Sequence, residues 1–407
     1  MSCSTGSAIS LDEALLHYAQ VKKLNRLELD LIQAHQHILA EPVYSSVALP
    51  LFTQSAVDGY ALRSEDIQAG IREFKLIGEI RAGIDESFEL QKGQMVRIFT
   101  GGKLPASADT VARQEIVTAH TTHIQLNEMI AQGTDIRYVG EELQQGSLLA
   151  TQGQQLNSGL IAALSMAGVK KVHVYQQPKI AVLITGDEVS TELHHDAQVF
   201  DANAPMILTW LKEQGLHQID LQHVMDDEKA LHLALEHALQ NYDLVITTGG
   251  VSVGDYDLIR PVSMNLGAKE IFWKVAQKPG KPLYFAQYQS AKNAAYLLGL
   301  PGNPAAVMIC LIIHVATLLR AMQGHQSIQP NWQTAFFDGE LKLDSREQLL
   351  RMVVHSNEHG QMQLSKLNKQ QSHMLSNLAE ANVIARIPSK DKIASPLNYI
   401  QYIRLSS

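Results

Sequence analysis

The chain has 407 residues, 45% of them hydrophobic, which is too long for one ordinary core and predicts several domains of soluble, globular composition. A net charge of -8 argues against bulk binding to nucleic acid or to an acidic membrane face, since both need a broad basic surface; any anion site must be local. Cys3 and Cys310 are the only cysteines, far apart and without ligand spacing, so neither a disulfide framework nor a thiolate metal site is indicated and a reducing cytoplasm fits. Residues 1–7 lack the basic start and apolar core of a secretory signal.

Ser10 and Glu13 form a capping-box pattern that opens a helix carrying Leu15, Leu16 and Ala19. Residues 26–31 alternate as a short strand, and 32–40 read as a second helix that stops before Pro42. From 51 to 139 the pattern changes to short strands broken by glycines, at 74–77, 95–99, 110–112 and 123–126, which predicts a small all-β domain. Two polar clusters there, Ser55-Ala56-Val57-Asp58-Gly59-Tyr60 and Thr100-Gly101-Gly102, have the composition of loops. Residues 143–174 match the amino-terminal helical region in pattern, with a helix capped by Asn157 and ended by Gly168. Segments 7–46 and 139–176 are therefore expected to form one split, elongated helical domain, with 47–138 inserted into it.

Residues 177–325 read as α/β. Strands at 179–185, 219–224 and 243–248 alternate with helices at 204–214 and 228–240, and further strands follow at 270–275, 283–286 and 294–299. That alternation predicts a parallel sheet whose ligand crevice lies outside the carboxyl ends of the strands. Asp187, Glu188, Asp226, Asp255 and Asp257 all fall at such ends. The apolar run 305–319 is shorter than a membrane span, carries His314 and follows Asn303-Pro304, so it predicts a buried helix, whose amino end offers a second anion-binding opportunity. Residues 326–407 alternate as short strands, at 335–343, 348–354, 362–367, 382–387 and 399–405, and predict a β-barrel or sandwich.

The chemistry concentrates between 243 and 282. A β-branched strand runs into Gly249-Gly250-Val251-Ser252-Val253-Gly254-Asp255-Tyr256-Asp257, a turn whose amides are free to face an anion. Lys274, Lys278 and Lys281 follow, the last two in the restricted loop Lys278-Pro279-Gly280-Lys281-Pro282. Amides and lysines suit phosphate, whereas carboxylates repel it unless a divalent cation lies between, so the stretch predicts a phosphorylated, metal-associated ligand. There is no P-loop or dinucleotide fingerprint.

With these residues in hand, the chain resembles the MoeA family of molybdopterin molybdenumtransferases, which includes the gephyrin E domain. The matching stretches, in family order, are Ser55-Ala56-Val57-Asp58-Gly59-Tyr60-Ala61, Thr100-Gly101, Gly140-Glu141-Glu142, Thr185-Gly186-Asp187-Glu188, the glycine turn from Thr248 to Asp255, the lysine loop, and Leu300-Pro301-Gly302-Asn303-Pro304. The resemblance implies a homodimer with an inter-subunit cleft, acting in the cytoplasm on adenylylated molybdopterin and molybdate with Mg²⁺, and releasing AMP. It implies that Gly249, Gly250 and Ser252 cradle phosphate, and that Gly254, Asp255, Pro301, Gly302 and Asn303 also bind the substrate. Lys274, Lys278 and Lys281 neutralise the anions, and Glu188, Asp226 and Asp257 place Mg²⁺ or water. Asp58 and Thr100 close the cleft from the partner subunit, and Arg346, Arg351 and Ser372 line it. Transient contacts with molybdopterin adenylyltransferase and with molybdoenzyme maturation factors follow from the same resemblance; nucleic acid and membrane do not. Two other readings are an adenylyltransferase, which needs only the α/β unit, and a non-catalytic scaffold.

Overall fold

The computed structural model describes residues 8–186, 189–190, 196, 198–251, 257–291, 293–392 and 398–405. At its centre lies a six-stranded sheet in the order Ile219–Val224, Ile180–Thr185, Leu244–Thr248, Ala294–Leu300, Tyr284–Gln289, Lys269–Trp273. The first four strands are parallel, and Tyr284–Gln289 runs antiparallel to both of its neighbours. The central strands Ile180–Thr185 and Leu244–Thr248 are buried along their whole length because both faces of the sheet are covered there, whereas the edge strand Ile219–Val224 carries exposed polar residues. Ile180, Val182, Ile184, Leu244 and Ile246 point to one face, where they pack with helices Asn203–Glu213 and Pro304–Met322. Ala181, Leu183 and Val245 point to the other, against Glu228–Asn241 and Ile259–Asn265.

Helix Pro304–Met322 is long and apolar enough to cross a membrane by length and composition, but 89% of its apolar window is buried, as expected of a core helix. The amino-terminal helix Leu11–Tyr18 has the expected capping box, with Ser10 N–H donating to Glu13 and Glu13 N–H donating to Ser10 Oγ. Its buried face, Leu11, Ala14, Leu15 and Tyr18, belongs to the core of the α/β unit rather than to the segment that follows it in sequence.

That following segment pairs with sequence far downstream: Arg26–Asp30 lies antiparallel to Lys171–Tyr175, and Val43–Tyr44 to Leu148–Ala150, over a small core shared with helix Ser158–Met166. The helix expected over 32–40 does not form. Gln36 has φ 65°, outside the right-handed helical region, and residues 36–39 exchange backbone hydrogen bonds with Gln154 and Leu156 instead of with each other. Ile32, apolar in the helical pattern, is 83% exposed.

Between these halves sits a six-stranded sheet in the order Thr110–Arg113, Gly59–Leu62, Gln94–Ile98, Glu73–Ile80, Ile124–Leu126, Val117–Ala119. Gly59 and Tyr60, which have the composition of a loop together with 55–58, instead begin a buried interior strand, Gly59–Leu62. At the other end of the chain, Glu347–Ser356, Met362–Lys366, Gln333–Phe336, Tyr399–Arg404 and Val383–Ile387 form a five-stranded barrel, closed by pairing of the last strand with the first. Gln277–Lys278, from the lysine loop, adds to this barrel parallel to Glu347–Gln348. That short pairing brings the α/β unit and the barrel together.

Candidate active site

Strand Leu244–Thr248 ends at Gly249 and Gly250, with φ of 82° and 63°. A Cβ on Gly249 would stand 2.8 Å from Thr185 Oγ1 and 3.2 Å from its carbonyl oxygen, so only glycine lets the turn lie over the neighbouring strand. Thr185 Oγ1 donates to the Thr248 carbonyl (2.9 Å), and Ile259 N–H donates to that of Gly250 (3.1 Å), which fixes the turn on both sides. Beside it, Asn203 Nδ2 donates to the Gly302 carbonyl (2.8 Å), holding the segment that leads to Asn303 and the buried helix.

These segments open on a cavity of about 820 Å³ between the carboxyl ends of the strands and the barrel. Gly249, Gly250, Asp257, Lys278, Lys281, Pro301, Gly302, Asn303, Arg346 and Ser372, all expected at the site, line it together. Asn303 Nδ2 donates to Ser372 Oγ (3.1 Å), so the helix start and the barrel meet across the cavity edge. Lys278 Nζ donates to Asp344 Oδ2 (2.9 Å), and this contact, followed by the Arg346 backbone N–H, holds the Asp344 carboxyl well below the usual carboxylate range. Lys281 is exposed in the same cavity. The barrel also contributes Lys342, Asp344, Gln348, Gln370 and Gln371, which sequence reasoning missed. Their signal is the pairing of Gln277–Lys278 with Glu347–Gln348, and no local motif carries it.

Other expected residues stand elsewhere. Arg351 is 1% exposed, and its guanidinium is spent on the carbonyls of Met374 (2.8 Å), Lys369 (2.8 Å) and Gln371 (3.1 Å). It braces the loop that presents Ser372 and does not face the ligand space. Lys274 does not line the cavity: its ammonium lies 3.7 Å from the centroid of the Trp273 ring, whose Nε1 donates to the Val251 carbonyl. Asp226, exposed just beyond strand Ile219–Val224, is likewise not part of the cavity wall. Asp58 and Thr100 sit on the inserted sheet unit, away from this wall. There Thr100 N–H and Oγ1 both donate to Asp58 Oδ1 at 2.8 Å and lower the Asp58 pKa. Glu188, Ser252, Gly254 and Asp255, with Asp187, lie outside the described residues.

Among the described residues no three His, Cys, Asp or Glu side chains gather as a metal site. Asp257 and the Lys278-paired Asp344 are the carboxylates among the cavity-lining residues described. That donor set fits Mg²⁺ only in its usual manner at phosphorylated ligands, held by one or two carboxylates with the remaining positions taken by phosphate oxygens and water.

The fold and site define a modular protein of the molybdopterin-binding class. The family model described as "Probable molybdopterin binding domain" matches residues 181–321, between "MoeA N-terminal region (domain I and II)" over 9–168 and "MoeA C-terminal region (domain IV)" over 337–396. Among curated relatives, the molybdopterin molybdenumtransferase of Nostoc sp. is 34% identical over 93% of this chain and 89% of its own. That of Haemophilus influenzae is 33% identical over 87% of each. Two structures of the MoeA molybdopterin biosynthesis protein of Pyrococcus horikoshii match with TM-scores of 0.81 and 0.78, each 25% identical, over 98% and 97% of this chain and 100% of theirs. The chain belongs to the MoeA family of molybdopterin molybdenumtransferases.

Proposed function

We propose that the protein inserts molybdenum from molybdate into adenylylated molybdopterin, giving molybdenum cofactor and AMP. One observation carries the reading: the glycine turn at Gly249-Gly250, the lysines of the 278–282 loop and the start of the buried helix at Asn303 share a single cavity. Backbone amides and lysines are suited to a pyrophosphate, and Lys278 and Lys281 stabilise charge that grows on its oxygens when the phosphoanhydride breaks. The dithiolene of the pterin supplies sulfur ligands for molybdenum, so no protein cysteine is called for; the described cysteine, Cys310, is fully buried. Asp257 and the ligand phosphates would hold Mg²⁺, whose contribution is to neutralise phosphate charge.

Asp58 and Thr100 belong to the reaction through a second copy of the chain: in a homodimer, the inserted sheet unit of one subunit closes over the cavity of the other. The protein works in the cytoplasm, receives its substrate from a molybdopterin adenylyltransferase and passes product to molybdoenzyme maturation factors by transient contact.

The test is AMP release from adenylylated molybdopterin and Mg²⁺ with and without molybdate. Molybdate-dependent release, lost in Lys278→Ala, supports the reading; pterin binding without release sinks it in favour of a scaffold. Mixing inactive Asp58→Ala and Lys278→Ala subunits should restore about one quarter of wild-type activity if the sites are shared between subunits. No restoration would place each site within one chain.

A further inference from the structure

Behind the lysine loop lies a chain of buried polar side chains that the reaction itself does not use. Gln277 Nε2 donates to the Gly280 carbonyl (3.2 Å), inside the loop that carries Lys278 and Lys281. Gln277 Oε1 faces His314 Nε2 at 2.9 Å, and His314 Nδ1 faces the Tyr18 hydroxyl at 3.1 Å. All three side chains have no exposed surface.

The direction of this chain follows from what each atom can do. With its amide nitrogen on a carbonyl, Gln277 offers His314 an oxygen that can only accept. His314 therefore carries its proton on Nε2, its Nδ1 is a bare acceptor, and Tyr18 gives its proton to it. Every bond runs one way, from the amino-terminal helix to the active-site loop. Burial keeps the imidazole neutral and its pKa down to about 3. His314 stands in a π-helical turn, Leu311–Val315, set between α-helical segments, a local irregularity that re-aims a side chain and is common at functional sites.

Three further hydrogen bonds tie the same amino-terminal segment to the segments beside the cavity walls. Ile9 N–H donates to the Lys274 carbonyl (3.2 Å), and Ala276 N–H donates to that of Ile9 (2.7 Å). Asp12 accepts from Arg386 (2.7 Å), which also binds Glu347, the residue opposite Gln277 in the strand pairing. The segment thus grips both the strand that carries Lys278 and the strand that carries Gln348.

We propose that residues 9–18 are a clasp on the ligand cavity, and that Gln277, set by His314 and Tyr18, is the positioning residue for the loop bearing Lys278 and Lys281. The identity of the ligand rests on the proposed function; the clasp itself does not. Free of Gln277, the Gly280 carbonyl turns and the two lysines lose their fixed positions, which weakens binding of substrate and transition state alike.

The test compares Gln277→Met, His314→Leu, His314→Gln and Tyr18→Phe in the full chain. Gln277→Met and His314→Leu should raise KM for adenylylated molybdopterin about tenfold with kcat changed less than about twofold. His314→Gln, which keeps an N–H near the place of Nε2, should hold KM close to wild type. An unchanged KM in the first two, or equal loss in His314→Leu and His314→Gln, overturns the proposal. Tyr18→Phe removes one oxygen atom and guards against misfolding of the others: exchange of the Val275 amide, which donates to the Lys281 carbonyl (3.0 Å), should quicken about tenfold, and unchanged exchange overturns the clasp. If the wild type releases no AMP, the proposed function fails while the exchange measurement still decides the clasp.

Discussion

Replacing His314 by Gln should flatten the acid dependence of stability. His314 is fully buried, with a folded pKa of about 3 against the ordinary 6.5, because burial disfavours the imidazolium. Between those values the unfolded chain binds a proton that the folded chain does not, so stability falls as pH drops below the unfolded pKa and the loss levels off near the folded one. The slope approaches about 1.4 kcal/mol per pH unit, and at about pH 5 the accumulated loss is about 2 kcal/mol relative to pH 7.5. His325, also held down by burial, to about 4, adds a similar loss, but it is present in both proteins and cancels in the comparison. Urea unfolding followed by tryptophan fluorescence at both pH values gives the four free energies. Wild type should lose about 2 kcal/mol more than His314→Gln on going to pH 5. Equal losses would mean that the folded protein protonates His314 at ordinary cost, and the one-way chain from Tyr18 to Gly280 could not stand as described.

Gly249→Ala should cost more than Gly250→Ala, although both glycines have positive φ. The new methyl at 249 meets Thr185 Oγ1 and backbone, which cannot yield without breaking the Thr185 bond to Thr248, whereas at 250 it meets the side chain of Ile259 at 2.9 Å. Chemical denaturation should show about 1–2 kcal/mol lost for Gly250→Ala and a larger loss, with weaker substrate binding, for Gly249→Ala; the reverse order would refute the turn's geometry. Arg351→Met should lower stability by about 3 kcal/mol or more, since it leaves the carbonyls of Lys369, Gln371 and Met374 without their donor. A variant of unchanged stability but raised KM would show instead that the guanidinium reaches the ligand.

Local patterns foretold the α/β unit well because its elements carry local causes. Its central strands Ile180–Thr185 and Leu244–Thr248 are short β-branched runs, Asp227 caps helix Glu228–Asn241 through Ala230 N–H, and Gly249-Gly250 come where the second of these strands must turn. The same reasoning failed where the cause is distant. Gly59 looks like a turn residue, yet it is glycine because a Cβ there would stand 2.2 Å from the Ala112 carbonyl of the adjacent strand. Residues 32–40 carry a helical pattern, yet the carbonyls and amides of 154–156 claim their backbone. The two walls of the cavity differ in the same way. Its α/β wall is written in glycines, lysines and prolines that are legible one stretch at a time. Its barrel wall depends on the register of Gln277–Lys278 against Glu347–Gln348, and nothing near residue 347 announces that pairing. Arg351 shows the cost of reading such a wall by residue type alone. An arginine beside an anion site invites a ligand contact, but at 1% exposure its charge is already taken up by three carbonyls of the loop it supports. What that loop turns toward the cavity is therefore Gln371 and Ser372, and the positive charge that the barrel places there is that of Lys342 and Arg346.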